Sequence, residues 1–140
     1  MYHILHDIEI HGFRDEIFAA ITKPELLNKW WTVKAEGRPE VNAEYRFYFS
    51  DEYDWKAKIL EVHPPASVSY QMTRADNDWT NSILSFEIIE IDHLRQNLRF
   101  EHRNWRSVND HFRKTSYCWA LYLNAMKKLV EKSFHEAQQS

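Results

Sequence analysis

The hydrophobic period of the chain changes near residue 109, and this change most constrains the fold. Between about Val41 and His102, apolar and polar residues alternate, which is typical of half-buried strands. From about Asn109 to Ser133 the apolar residues recur every three or four positions instead, which predicts one amphipathic helix. The chain therefore combines a series of short strands with a single long C-terminal helix.

The alternating region predicts five short antiparallel strands at hairpin spacing. Their inward-facing residues are Tyr45, Phe47 and Phe49; Trp55, Ala57 and Ile59; Val68, Tyr70 and Met72; Ser82, Leu84, Phe86 and Ile88; and Leu98, Phe100 and His102. Both faces are apolar over residues 87–92, a pattern consistent with a β-bulge.

The N-terminal part adds one strand and two short helices. Tyr2–His11 alternates and is predicted as a strand. Residues 14–21 are predicted as a helix with acids in its first turn, where the helix dipole favours them. Residues 24–30 are predicted as a second helix, because Thr22 and Glu25 have the spacing of a capping box.

This order of elements predicts an α+β fold in a single domain over residues 1–140. An antiparallel sheet with one apolar face needs a cover, and only the final helix is long enough to supply it. We therefore expect a curved six-stranded antiparallel sheet around the long C-terminal helix, with the two short helices closing one end.

Charge and cysteine content restrict the function and the location. The formal net charge of −3 argues against nucleic acid as a partner. The single cysteine, Cys118, excludes an internal disulfide and favours a reducing, cytoplasmic location. We expect no signal peptide, because no basic segment followed by an apolar run opens the chain. We expect no membrane span, because the apolar run 117–123 is far shorter than the roughly 20 residues required.

Two stretches resemble a known protein family. The segment "IFAAITKPELLNKWW", residues 17–31, and the segment "ILEVHPPASVSY", residues 59–70, are similar to motifs of the SRPBCC (START, Bet v 1-like) superfamily. The closest resemblance is to its AHSA1-like branch, named after the activator of the Hsp90 ATPase. The strand ending at His102 and the helix residue Trp119 are also similar to the family pattern. The resemblance implies the helix-grip fold and a cavity between the sheet and the C-terminal helix.

The candidate site is therefore a hydrophobic ligand cavity lined mainly by aromatic side chains. An aromatic content of 15% exceeds what a small core ordinarily needs, and buried Tyr hydroxyls and Trp N–H groups require hydrogen-bond partners that a ligand could supply. The predicted lining residues are Trp31, Tyr45, Phe47, Trp55, Tyr70, Met72, Phe86, Phe100, His102, Trp119, Leu123 and Met126. For each residue taken alone, simple filling of the core is the commoner role.

The adjacent tryptophans at the end of the second short helix are expected to have different roles. Trp30 falls on the same helical face as Leu26 and Leu27, so we predict that it plugs the end of the core. Trp31 is rotated away from that face. We predict that Trp31 lies, only partly buried, near the cavity mouth.

The sequence predicts no catalytic residue, metal or cofactor. His102 is the best candidate for polar chemistry, although an inward-facing histidine is more often a hydrogen-bonded core residue. The eight histidines show no HxxxH or HxH spacing, and no cluster of Cys and His exists, so no metal site is predicted.

Three functions remain open at this point. The first is binding of a hydrophobic small molecule, with homodimer formation as a further option. The second is a protein-interaction or chaperone-related role that uses the outer surface. The third is a cyclase or hydrolase acting on a hydrophobic substrate; we favour a protein that is not an enzyme, because a catalytic pocket needs several converging polar groups and only one candidate is visible.

Overall fold

A computed structural model describes residues 1–139 and shows one antiparallel sheet packed against a long helix. The sheet has seven strands in the order β1-β7-β6-β5-β4-β3-β2. The elements, in chain order, are β1 (Tyr2–His11), α1 (Arg14–Thr22), α2 (Pro24–Trp30), β2 (Lys34–Glu36), β3 (Glu44–Tyr48), β4 (Asp54–His63), β5 (Ser67–Arg74), β6 (Ile83–Asp92), β7 (Arg95–Trp105) and α3 (Asp110–Gln139).

The predicted α+β helix-grip fold is confirmed, but the predicted count of six strands is wrong. The additional strand is β2, which pairs with β3 at the edge of the sheet. It contains three residues and buries one of them, Ala35. Three residues are too few for an alternating pattern to stand out in a sequence.

The strand register brings the predicted inward residues into rows. Phe47 lies opposite Trp55, Ile59 opposite Tyr70, and Phe86 opposite both Val68 and Phe100. The pairing of β6 with β7 shifts between Glu90 and Asp92, which confirms the irregularity that the apolar pattern at residues 87–92 indicated.

Helix α3 covers the apolar face of the sheet and extends six residues beyond the predicted end at Ser133. Its buried residues are Thr115, Trp119, Leu123, Met126, Val130 and Phe134. Phe134 continues the stripe and packs edge-on against Phe13, with ring centroids 5.3 Å apart. The predicted boundary was wrong because it did not include this last turn of the stripe.

The predicted capping box between Thr22 and Glu25 is wrong. Thr22 belongs to the last turn of α1, where its hydroxyl donates a hydrogen bond to the Phe18 carbonyl, 2.6 Å away. Lys23 is the N-cap residue of α2 and makes no side-chain capping bond. A capping box needs its first residue outside any helix, and Thr22 is already helical.

Side chains of α3 cover part of the free edge of β1. The Lys127 ammonium donates a hydrogen bond to the Glu9 carbonyl, 2.7 Å away, and also contacts Glu131. The Glu131 carboxylate accepts a hydrogen bond of 2.9 Å from the backbone N–H of His11. Two outward backbone groups of this edge strand are therefore bonded to the helix.

Candidate functional site

Most residues predicted to line the cavity fill the interior between the sheet and α3. Ten of them have at most 1% of their surface exposed. Besides His102 and Trp119, which are described below, these are Tyr45, Phe47, Tyr70, Met72, Phe86, Phe100, Leu123 and Met126. The aromatic side chains of this set pack against one another, as in the edge-on pair of Tyr45 and Tyr70, whose ring centroids are 5.0 Å apart. The eight side chains named last are parts of the core and do not line the cleft described below.

The two buried tyrosine hydroxyls have protein partners. The Tyr45 hydroxyl donates a hydrogen bond to the Thr22 carbonyl, 2.7 Å away, and the Tyr70 hydroxyl donates to the Ile21 carbonyl, 2.6 Å away. Burial raises the pKa of Tyr45 to about 12 and the pKa of Tyr70 well above its usual value, so both remain neutral donors. They attach the end of α1 to the sheet and do not require a ligand.

His102 lies in the core with both ring nitrogens hydrogen-bonded. The Trp119 indole N–H donates to Nδ1, 3.1 Å away, so the ring proton is assigned to Nε2. Nε2 lies 2.8 Å from the Ser82 hydroxyl, which in turn donates to the Trp79 carbonyl. Burial lowers the pKa of His102 to about 3, so the imidazole is neutral at physiological pH.

An aromatic cleft opens at the end of this core, between α2, α3 and the loop that precedes β6. It has two lobes of about 200 and 300 Å³. Both lobes are lined by Trp31, Trp55, Trp79 and Tyr122. The lobe of about 200 Å³, called the helix lobe, is also lined by five residues of α3: His111, Lys114, Thr115, Cys118 and Trp119. The lobe of about 300 Å³, called the hairpin lobe, is also lined by Phe49, Tyr53 and Asp76. Three predicted lining residues, Trp31, Trp55 and Trp119, therefore lie together in one concave surface.

The two adjacent tryptophans occupy different positions, and both are buried. Trp30 is buried, and its indole N–H donates to the Ala20 carbonyl, 2.8 Å away, which holds α2 against α1. Trp31 follows the last residue of α2 and lines both lobes of the cleft. However, only 8% of its surface is exposed, against 5% for Trp30, so the expectation that Trp31 is only partly buried is wrong.

Trp79 supplies a cleft wall that sequence reasoning missed. It lies in the turn before β6, where its backbone N–H donates to the Asp76 carbonyl, 2.9 Å away. The turn is attached to the start of α3 by Asp78, which lies 2.8 Å from Nδ1 of His111. This contact lowers the pKa of the Asp78 carboxyl. The only sequence signal was an aromatic residue directly after the polar segment 74–78.

The tryptophans of the cleft form a continuous cluster. The ring centroids of Trp31 and Trp119 are 5.2 Å apart, those of Trp55 and Trp79 are 4.7 Å apart, and Trp79 stacks on Trp119 at 5.9 Å. Packed rings of this kind restrict one another's motion, which gives the cleft a fixed apolar floor. Within residues 1–139, the buried Nε1 of Trp79 has no hydrogen-bond partner.

Two other surface depressions have a different character. One of about 370 Å³ lies between α1, α2 and α3 and includes Glu16, Lys29, Lys132 and Glu136 in its walls. Another of about 480 Å³ lies around residues 92–95. Neither is lined by several tryptophan rings, so the aromatic cleft is the better candidate for binding an apolar ligand.

Two features are absent from the described residues. Over residues 1–139, no group of three His, Cys, Asp or Glu side chains could hold a metal ion. No helix in the same part of the chain has the length and apolar character needed to cross a membrane.

An antiparallel sheet closed around one long C-terminal helix, with two short helices after the first strand, defines the helix-grip class of α+β proteins. Within this class, the family model for Activator of Hsp90 ATPase homolog 1-like protein matches residues 13–131. The chain therefore belongs to this AHSA1-like family, as its sequence motifs predicted.

Solved structures show the same fold. The Aha1 dimer from Colwellia psychrerythraea has a TM-score of 0.84 and 26% identity, with 94% of this chain and 97% of that chain covered. Protein MLL2253 from Mesorhizobium loti has a TM-score of 0.82 and 18% identity, covering 94% and 98%. PFC0360w, an HSP90 activator from Plasmodium falciparum, has a TM-score of 0.76 and 14% identity, covering 92% and 96%. Comparison with curated protein sequences finds no match.

Proposed function

We propose that the protein binds a small hydrophobic molecule of aromatic character in the aromatic cleft. The observation that carries this proposal is the convergence of four tryptophans, Trp31, Trp55, Trp79 and Trp119, on one concave surface. Indole faces contribute large contact area with little conformational freedom to lose on binding. The site lies at the end of the interface between the sheet and α3, rather than along the whole interface as the sequence suggested.

The enzymatic alternative receives no support from the histidine that the sequence singled out. His102 is fully buried, neutral, and hydrogen-bonded through both nitrogens. A general base needs a free nitrogen within reach of the substrate proton. The chaperone-related alternative rests on the activity for which related proteins are named, and the HSP90 activator at 14% identity shows the fold alone. A cytoplasmic location remains our prediction from the single thiol.

The cleft can be tested with the uncharged fluorescent probe N-phenyl-1-naphthylamine. Tyr122 lines both lobes and is 39% exposed, so its truncation removes a cleft wall with little loss of core packing. Tyr122→Ala should weaken probe binding roughly five- to tenfold, whereas Tyr122→Phe should retain it, because the ring supplies the contact. Fluorescence titration measures both dissociation constants.

Two controls make this test specific. Tyr2→Ala removes an exposed tyrosine that does not line the cleft and should leave probe affinity unchanged. Cys118, the only cysteine, lies in the helix lobe, so bound probe should slow its alkylation by N-ethylmaleimide. Equal probe affinity in Tyr122→Ala and the wild type, together with unprotected Cys118, would rule out binding in this cleft.

Self-association is a second candidate property, favoured by one surface feature. Tyr117 and Leu121 lie one turn apart on α3 and are 67% and 53% exposed. Large apolar side chains that are neighbours on an exposed helix face are typical of contact surfaces. The relative from Colwellia psychrerythraea is described as a dimer. We propose that this face of α3 joins two copies of the chain.

Sedimentation equilibrium tests the dimer. The wild type should have twice the mass of a single chain at micromolar concentrations, and Leu121→Lys should shift it to the single-chain mass, because a buried unpaired ammonium opposes association. Lys23→Gln, an exposed change outside α3, should have no effect. A wild type that sediments as a monomer throughout the range contradicts this proposal without affecting the cleft.

A further inference from the structure

We propose that the ligand of the aromatic cleft carries an anionic group, such as a carboxylate or sulfonate, held at the helix lobe. This inference rests on the proposed binding of an aromatic compound and adds the charge and orientation of that compound. It is carried by the uneven distribution of charged side chains along a cleft whose shared walls are aromatic.

The helix lobe contains a cation with no anionic partner. Lys114 lines this lobe, and no salt bridge to it occurs among residues 1–139. The other basic group of the lobe, His111, already contacts the Asp78 carboxylate at 2.8 Å. Lys114 therefore remains the cation available to an incoming ligand.

The opposite lobe has the opposite charge. Asp76 lines the hairpin lobe, where the other added residues are Phe49 and Tyr53. An anionic group placed there would be repelled by the carboxylate, whereas at the helix lobe it would be attracted by the Lys114 ammonium. The positive end of the α3 dipole lies in the same region, because α3 begins at Asp110, and it acts in the same direction.

The walls favour a flat ring system as the rest of the ligand. Trp31, Trp55 and Trp79 are shared between the lobes, so one aromatic body can contact indole rings while its anionic end reaches Lys114. The cleft thus fits an aromatic acid better than a neutral hydrocarbon.

A pair of matched probes tests the charge preference. 1-Anilinonaphthalene-8-sulfonate and N-phenyl-1-naphthylamine share the same ring system, and only the first carries an anion. Lys114→Gln should raise the dissociation constant of the sulfonate probe roughly three- to fivefold, as expected for one exposed charge pair, and should leave the neutral probe unchanged. Raising the salt concentration should weaken the sulfonate probe alone, because exposed charges are screened.

The control is Lys128→Gln, which removes the same charge from an exposed position of α3 that does not line the cleft. It should affect neither probe. If the sulfonate probe binds wild type and Lys114→Gln equally, or binds no better than the neutral probe, the anionic preference is wrong while the aromatic site stands. If the neutral probe does not bind the wild type, the proposed function itself fails.

Discussion

Trp119→Ala should lower the free energy of unfolding by about 3–5 kcal/mol, as truncation of a buried aromatic side chain does. Trp119 is 1% exposed and touches rings on several sides. Its centroid lies 4.4 Å from that of Phe100 and 5.2 Å from that of Trp31. The variant also removes the indole N–H that bonds Nδ1 of His102, and leaves that nitrogen buried without its donor.

Urea unfolding followed by far-UV circular dichroism measures this effect. Trp119→Phe separates its two components, because it retains most of the ring contact and removes the hydrogen bond. Val41→Ala, an exposed change in a turn outside α3, should alter stability by at most about 0.5 kcal/mol. A urea midpoint for Trp119→Ala equal to that of the wild type would show that Trp119 does not contribute to the stability of the core.

The stability of the protein should fall as the pH is lowered from about 6.5 toward 3, and His102 should account for a large part of the fall. The pKa of His102 is about 3 in the folded protein, whereas its ordinary value is 6.5. Between these values the unfolded chain binds a proton at this site and the folded chain does not. Acid therefore favours unfolding, by about 1.4 kcal/mol for each pH unit.

The difference in stability between the wild type and His102→Gln, measured as a function of pH, isolates the contribution of His102. At about pH 7 His102→Gln should be less stable than the wild type, because it perturbs the bonds to Ser82 and Trp119. Toward about pH 4 the wild type should lose roughly 3 kcal/mol relative to the variant, which carries no titratable ring. The surface variant His63→Gln measures the effect of replacing an exposed histidine. A stability gap that is independent of pH would contradict a neutral buried imidazole.

The sequence predicted the fold well because the fold follows from two hydrophobic periods. Alternation identified β3 to β7, and the helical period identified α3, since each buries one continuous face. The errors occurred where the pattern was short or local. Strand β2 buries only Ala35, and the assignment of Thr22 depended on whether α1 ended before or after it.

The candidate site was less predictable because alternation tells which residues face inward but not whether space remains between them. Tyr45 and Phe86 were correctly expected to face inward, yet they pack against other core side chains. Whether inward rings leave a cavity depends on how their volumes fit together in three dimensions. Trp79 was missed because it lies in an irregular turn, where no period applies, and is placed by contacts between the loop and α3.

The contacts between α3 and the free edge of β1 also affect whether another strand can pair with the sheet. An exposed strand edge is a template on which another chain can add a strand, the first step toward fibrils or swapped oligomers. At β1, the bonds from Lys127 to Glu9 and from His11 to Glu131 occupy backbone groups that such a strand would use. The opposite edge strand is β2, whose three residues offer an added strand few backbone groups for pairing. Pairing with an added strand is therefore obstructed at the C-terminal end of β1, and at β2 it is limited by the length of the strand.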